Sequence, residues 1–118
     1  MELEWKENIQ IPDGTHNGTI SKIVYRTEPY EYTDIYVKLE VDGSEVEIKY
    51  GCPTVLSDNS KLGRVLKAFG ANAVAGTIID PEKALVGQKV IFMTMEKKSK
   101  KDSNMYAEIV VDSIKPAV

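Results

Sequence analysis

One segment, Ser60 to Gly70, has the spacing of an amphipathic helix in a chain that otherwise reads as strands. Its apolar side chains recur at i, i+3, i+4 and i+7, on one side of an α-helix, and are Leu62, Val65, Leu66 and Phe69. Ser57, Asn59 or Ser60 can cap the start, and Gly70 suits the left-handed position just past the end. Because three strand-like runs precede this helix and two follow it, the sequence predicts a small β-domain with its helix between strands three and four.

The second strand, predicted from Tyr30 to Val41, alternates strictly. Its inward set is apolar or small and consists of Thr33, Ile35, Val37, Leu39 and Val41. Its outward set is polar or aromatic and consists of Tyr32, Asp34, Tyr36, Lys38 and Glu40. Asp42-Gly43 favours a type I′ turn, after which the alternation resumes from Glu45 to Tyr50. The two strands are therefore predicted to pair as an antiparallel hairpin, with the third strand broken at Gly51-Cys52-Pro53.

The first strand is predicted to run from Thr15 or Thr19 to Thr27, and Glu28-Pro29 ends it. Its apolar residues do not keep a two-residue alternation. That irregularity indicates a bulge, or a strand shared between two parts of a barrel. A tight hairpin turn at Asn17-Gly18 is the less favoured alternative.

The second half of the chain predicts a single helical turn from Asp80-Pro81 to Gly87 and then two strands. The fourth strand covers Val90 to Lys97. The fifth covers Met105 to Ile114, with Ala107, Ile109 and Val111 on one face. This order of elements suggests that residues 1–118 form one all-β domain with one main helix, a five-stranded Greek-key OB-fold barrel.

The overall composition favours a soluble protein of one domain. The chain has 118 residues, which suits one modest core. No apolar run approaches the ~20 residues that cross a bilayer, so no membrane partner is expected. The N-terminus lacks the basic start and apolar stretch of a signal peptide, which favours a cytoplasmic location, or the host cytoplasm for a phage protein.

The residue types that carry catalysis are scarce. His16 and Cys52 are the single histidine and cysteine, and neither has a partner arrangement for nucleophilic catalysis. One cysteine excludes an internal disulfide and a cysteine zinc cluster. The sequence also lacks the glycine-rich phosphate-binding motifs. We therefore expect no enzymatic activity, no metal and no other cofactor.

A binding surface has more support. Tyr32 and Tyr36 lie four residues apart on the outward side of the second strand, and Tyr30 extends the row. Tyrosine rings can stack on bases of any identity, with ~1–3 kcal/mol per base. The candidate phosphate contacts come from three neighbouring strands and are Lys22, Arg26, Lys38 and Lys49. The alternative is that the tyrosines cover the edge of the core or form a subunit contact.

The predicted loop 97–104 between strands four and five is strongly basic. From Lys89 to Lys101 there are five lysines and one glutamate, a local net charge of +4 in a chain of net charge −3. The four lysines of the loop are Lys97, Lys98, Lys100 and Lys101. They can contact a phosphate backbone. The alternative is a solvated tip whose lysines keep strand edges from pairing.

From about Ile11 to Pro116 the order of elements resembles that of the OB-fold single-stranded DNA-binding proteins, in particular the small phage-encoded type. The resemblance implies that single-stranded DNA crosses the face of strands one to three, between the first hairpin loop and the loop Lys97–Asp102. The residues that match the family by position are Tyr32, Tyr36, Lys38, Lys22, Arg26 and the four loop lysines. Bacterial members end in an acidic tail that recruits partners, whereas this sequence ends Ile114-Lys115-Pro116-Ala117-Val118. Recruitment in that manner is not expected.

The resulting hypothesis is a non-catalytic protein that binds single-stranded DNA with little sequence preference during replication or recombination. A homo-dimer or larger oligomer is expected, and replication or recombination proteins are candidate partners. The main rival is an OB-fold protein-interaction or assembly module, such as a phage structural component. The acidic net charge and the presence of only two arginines, Arg26 and Arg64, favour that rival. RNA is a second possible ligand, and an oligosaccharide is disfavoured because Trp5 lies outside the expected face.

Overall fold

The described part of the protein is a strongly curled antiparallel β-sheet with two short helices. The computed structural model describes residues 1–3, 10–71, 74–98 and 105–117. The elements are β1 (Gly14–Arg26), β2 (Tyr32–Val41), β3 (Ser44–Pro53), α1 (Lys61–Ala68), α2 (Pro81–Leu85), β4 (Lys89–Lys98), β5 (Met105–Ile109) and β6 (Lys115–Pro116). The sheet order is β3-β2-β1-β4-β5, with β6 beside the first half of β4. The curl brings the edge strands β3 and β5 into contact, which gives a half-barrel.

The hairpin of β2 and β3 has the predicted turn and register. Asp42 and Gly43 both have positive φ, 50° and 79°, as a type I′ turn requires. The inward residues of β2 are buried, and so are Ile48 and Tyr50 of β3. The predicted break at Gly51-Cys52-Pro53 is wrong, because β3 stays paired with β2 as far as Pro53 opposite Tyr32.

The bulge predicted in β1 is confirmed. Ile20 pairs with Val37 but Lys22 pairs with Tyr36, so the register shifts around Ser21. The first half of β1 pairs with β4 and the second half with β2. The alternative turn at Asn17-Gly18 is wrong, because both residues lie inside β1 and pair with β4.

Helix α1 has the predicted caps and the predicted buried face. The Ser60 hydroxyl accepts a hydrogen bond from the Gly63 backbone N–H at 2.9 Å, and Gly70 has a φ of +86°. The buried residues on its core side are Leu62, Val65 and Leu66. The helix packs against β3, α2 and β6. The predicted turn of helix after Asp80 is α2, capped by the Asp80 carboxylate.

The fifth strand is shorter than predicted. It ends at Ile109, and the chain turns at Asp112, whose φ is +66°. Two distant groups hold this turn: the Asp112 backbone N–H donates to the Tyr50 hydroxyl at 3.2 Å, and Arg64 Nε donates to the Asp112 carboxylate at 2.7 Å. The prediction that Val111 continues the face of Ala107 and Ile109 is therefore wrong, because Val111 lies beyond the end of β5 and is 49% exposed, whereas Ile109 is 1% exposed.

The close packing of Gly63 reverses the usual expectation for a helical glycine. A Cβ at this position would lie 2.1 Å from the Ser57 carbonyl oxygen and 2.7 Å from the Ser60 hydroxyl. Helix propensity favours Gly63→Ala by about 1 kcal/mol. We expect the opposite, a loss of about 1–3 kcal/mol in the free energy of unfolding, because the turn before α1 must move and strain its N-cap. Urea denaturation measures this, and Ala68→Gly in the same helix calibrates the ordinary exchange. A stabilised Gly63→Ala variant would contradict this packing.

Candidate nucleic-acid interface

The outward sides of β1, β2 and β3 form one surface, which we call the tyrosine face. Side chains directly opposite on paired strands point to the same side of a sheet. Lys22, Tyr36 and Lys49 therefore lie in one row across the three strands. Arg26 lies opposite Tyr32 in a second row, and Lys38 lies between the first row and the hairpin turn. Six of the predicted site residues thus share this face.

Each tyrosine on this face has a cation beside its ring. Lys22 Nζ lies 4.7 Å from the centre of the Tyr36 ring, and Arg26 Cζ lies 5.2 Å from the centre of the Tyr32 ring. Both distances are in the range of cation–π attraction. Tyr30 is 69% exposed and lies with its ring centre 6.2 Å from that of Tyr32. Two rings of this face thus lie on β2, and the ring of Tyr30, just before the strand, lies beside the first of them.

The prediction that every outward residue of β2 faces solvent is wrong at Asp34. The residue is fully buried, at 0% exposure. Arg26 covers the carboxylate, with Nε donating to Oδ2 and Nη2 donating to Oδ1 at 3.0 Å. The absence of a side chain at Gly51, directly opposite on β3, leaves room for the carboxylate. The hydrogen bond to Asp34 raises the pKa of the Arg26 guanidinium above its ordinary value.

The positive charges of the tyrosine face are largely paired with carboxylates. Lys22 lies 3.8 Å from Glu47, and Lys38 lies 3.3 Å from Glu45. Lys49 has no ion pair with any other residue in the described ranges. A phosphate would have to compete with a carboxylate at most positions of this face. Bases can therefore stack on the tyrosine rings of this face more readily than phosphates can contact its paired cations.

The lysines predicted for the β4–β5 loop are only in part described. Lys97 and Lys98 are exposed at the end of β4, and Lys97 pairs with Glu108 of β5 at 3.1 Å. Lys100 and Lys101 lie outside the described residues, as does Trp5. In the described part of the chain, no ion pair joins Lys97 or Lys98 to the tyrosine face. A ligand that touched both would have to extend along the curled sheet.

Sequence reasoning missed an apolar area on the outward sides of β4 and β5. Met93, Met95 and Tyr106 are 48%, 46% and 49% exposed. The residues share one side, because Tyr106 pairs with Lys97 and residues at alternate positions of β4 point the same way. The recurrence of methionine at alternate positions, Met93 and Met95, is a signal that could have indicated it.

The single histidine and the single cysteine have structural surroundings. His16 Nε2 lies 2.7 Å from the Pro12 carbonyl oxygen and 3.0 Å from the Thr94 hydroxyl, so it ties the segment before β1 to β4. Cys52 is buried, and burial raises the pKa of its thiol to about 11. No group of three or more potential metal ligands is found among the described residues. The described helices include none that is both long and apolar enough to span a membrane.

Neither a protein-family model nor a curated protein matches this sequence.

Proposed function

We propose that this chain is an OB-fold domain that binds single-stranded DNA with little sequence preference and has no catalytic activity. Its role would be to protect or organise single strands during replication or recombination. The observation that carries the proposal is that Tyr32 and Tyr36 share one outward sheet face, with the exposed ring of Tyr30 beside that of Tyr32. Aromatic rings on a sheet stack on successive bases without reading their identity.

The sheet topology supports the fold assignment. In the curled sheet β1 is shared between β2 and β4, the main helix α1 follows β3, and the edges β3 and β5 approach each other. A five-stranded, partly open barrel of this kind presents the face that includes strands two and three, and the loops beside it, to oligonucleotides. Because one domain offers a small site, we propose that a homo-dimer or larger oligomer acts on one strand.

Binding to a labelled oligonucleotide tests the function. Fluorescence anisotropy of a roughly 30-nucleotide oligo-dT, longer than one OB-fold site, is measured at low and at moderate salt. A duplex of equal length and a single-stranded RNA of the same sequence are the competitors. We expect tighter binding to the single-stranded DNA than to the duplex, weakened by salt. Absence of binding at low salt would refute the proposal.

The loop lysines should contribute to the salt dependence, although Lys97 is paired with Glu108 just as Lys22 and Lys38 are paired on the tyrosine face. Replacing Lys97, Lys98, Lys100 and Lys101 together by Gln is expected to weaken oligo-dT binding. The slope of log affinity against log salt should flatten by up to ~0.7 per lost phosphate contact. Lys83→Gln on α2, outside the proposed interface, is the control for a simple change of charge. An unchanged slope would remove the loop from the site.

A protein-interaction or assembly module is the second candidate function. The half-exposed Met93, Met95 and Tyr106 favour it, because methionine and tyrosine are enriched at protein interfaces. The paired cations of the tyrosine face also favour it. If the tyrosine face is the subunit contact, Tyr36→Ala would change the oligomeric state, measured by sedimentation, and would have no effect on DNA binding.

A further inference from the structure

Among the acidic and basic side chains of the described residues, Asp34 alone is completely buried, and it lies inside the proposed DNA-binding face. A buried carboxylate is unfavourable unless it is paired and hydrogen-bonded. A negative charge inside a DNA-binding site is also unfavourable for binding, because it repels the phosphates. We therefore ask which interaction of Asp34 offsets these two unfavourable contributions.

The surroundings of Asp34 are built to hold it in one geometry. Both carboxylate oxygens accept hydrogen bonds from Arg26, which gives the two-point contact typical of guanidinium and carboxylate. A Cβ at Gly51 would lie 3.1 Å from Asp34 Oδ1 and 3.5 Å from the Tyr32 ring. The glycine thus allows Asp34 and Tyr32 to pack side by side over β3. The same Arg26 that pairs with Asp34 lies beside the ring of Tyr32.

We propose that Asp34 is a positioning residue: through Arg26 it fixes the Tyr32 ring as a base-stacking platform, and Arg26 is not a phosphate ligand. The inference rests on the proposed function. Drawing Arg26 away to a phosphate would leave a buried carboxylate without its partner, which is strongly destabilising. Arg26 therefore stays with Asp34 when DNA is bound, and its planar group and the Tyr32 ring meet the base as one unit.

Asp34→Asn distinguishes this role from a purely electrostatic one, because the two roles predict opposite changes in the affinity for DNA. Removing a negative charge from the face should tighten DNA binding if only charge matters. If Asp34 positions Arg26 and Tyr32, the variant should bind oligo-dT about fivefold more weakly or worse, the lower end of one lost base stack. Asp42→Asn makes the same charge change at the exposed hairpin turn, where Asn is tolerated, and should not weaken binding.

Arg26→Lys supplies a second test at a side chain that is 40% exposed. Lysine keeps the positive charge but lacks the planar guanidinium group, which donates two hydrogen bonds to the carboxylate and stacks on an aromatic ring. A phosphate ligand would be rescued by lysine, whereas a positioning Arg26 would not. The slope of log affinity against log salt should be the same in Asp34→Asn, in Arg26→Lys and in the unaltered protein. Lys49→Gln should lower this slope by ~0.7 if Lys49 contacts a phosphate.

A double-mutant cycle separates positioning from a general structural effect. If Asp34 acts through Tyr32, Asp34→Asn should weaken binding in the unaltered protein and have little further effect in a Tyr32→Ala background. Thermal unfolding measures the folded fraction of each variant, so that a loss of folded protein is not counted as a loss of affinity. Additive losses in the cycle, unchanged or tighter binding by Asp34→Asn, or full binding by Arg26→Lys would overturn the inference. Absence of binding by the unaltered protein would refute the proposed function itself.

Discussion

Leu66→Ala is expected to lower the free energy of unfolding by about 2–5 kcal/mol. Leu66 is 1% exposed and lies on the side of α1 that faces the core. Truncation to alanine removes its apolar contacts and leaves a cavity, since the surroundings collapse only in part. A typical domain has a total stability of about 5–15 kcal/mol, so this one change removes a large share. Urea denaturation monitored by circular dichroism measures the loss.

Lys67→Ala is the matched control, because it removes a neighbouring side chain of the same helix. Lys67 is exposed and pairs with Asp58 at 2.7 Å. An exposed ion pair contributes ~0–1 kcal/mol, so the control should change stability little. If Leu66→Ala were no more destabilising than Lys67→Ala, the assigned core side of α1 would be wrong.

Replacing Tyr32 and Tyr36 together by Ala should have the largest effect on DNA binding. Each lost stack is expected to weaken the affinity by ~1–3 kcal/mol, which is about 5- to 150-fold. The salt slope should change little, because neither substitution removes a charge. Anisotropy titrations with oligo-dT at two salt concentrations measure both quantities.

The matched control replaces the same two tyrosines by Phe. Phenylalanine keeps the ring that stacks and removes only the hydroxyl, so binding should stay close to that of the unaltered protein. Unchanged affinity in the double Ala variant would exclude the tyrosine face as the site. A change in sedimentation without a change in affinity would instead support a subunit contact.

The parts of the fold that depend on local sequence could be predicted. The apolar spacing and Ser60 determine α1, and Asp42-Gly43 with strict alternation determines the hairpin. The shortened fifth strand could not be predicted in this way. Its end depends on Tyr50 and Arg64, which are about 50 to 60 residues away from Asp112 in the sequence and meet it only in the folded chain.

The strand alternation was enough to predict that Tyr32, Tyr36 and Lys38 share one face, but not how the charges of that face are arranged. Once the hairpin turn is known, counting back along both strands places Asp34 opposite Gly51, so the pocket for this carboxylate had a signal in the sequence. Its burial also requires Arg26 to reach it from β1. That contact depends on the shift in register near Ser21, whose position local patterning does not determine.

The most direct test of the account is a map of the DNA contact on the protein. Two-dimensional 1H–15N NMR spectra of labelled protein are recorded as oligo-dT is added. If DNA binds at the tyrosine face, the shifts should be concentrated in β1 after the bulge, in β2 from Tyr32 to Lys38, and around Lys49. Unchanged spectra, or shifts confined to the outward side of β4 and β5 at Met93, Met95 and Tyr106, would contradict binding at the tyrosine face.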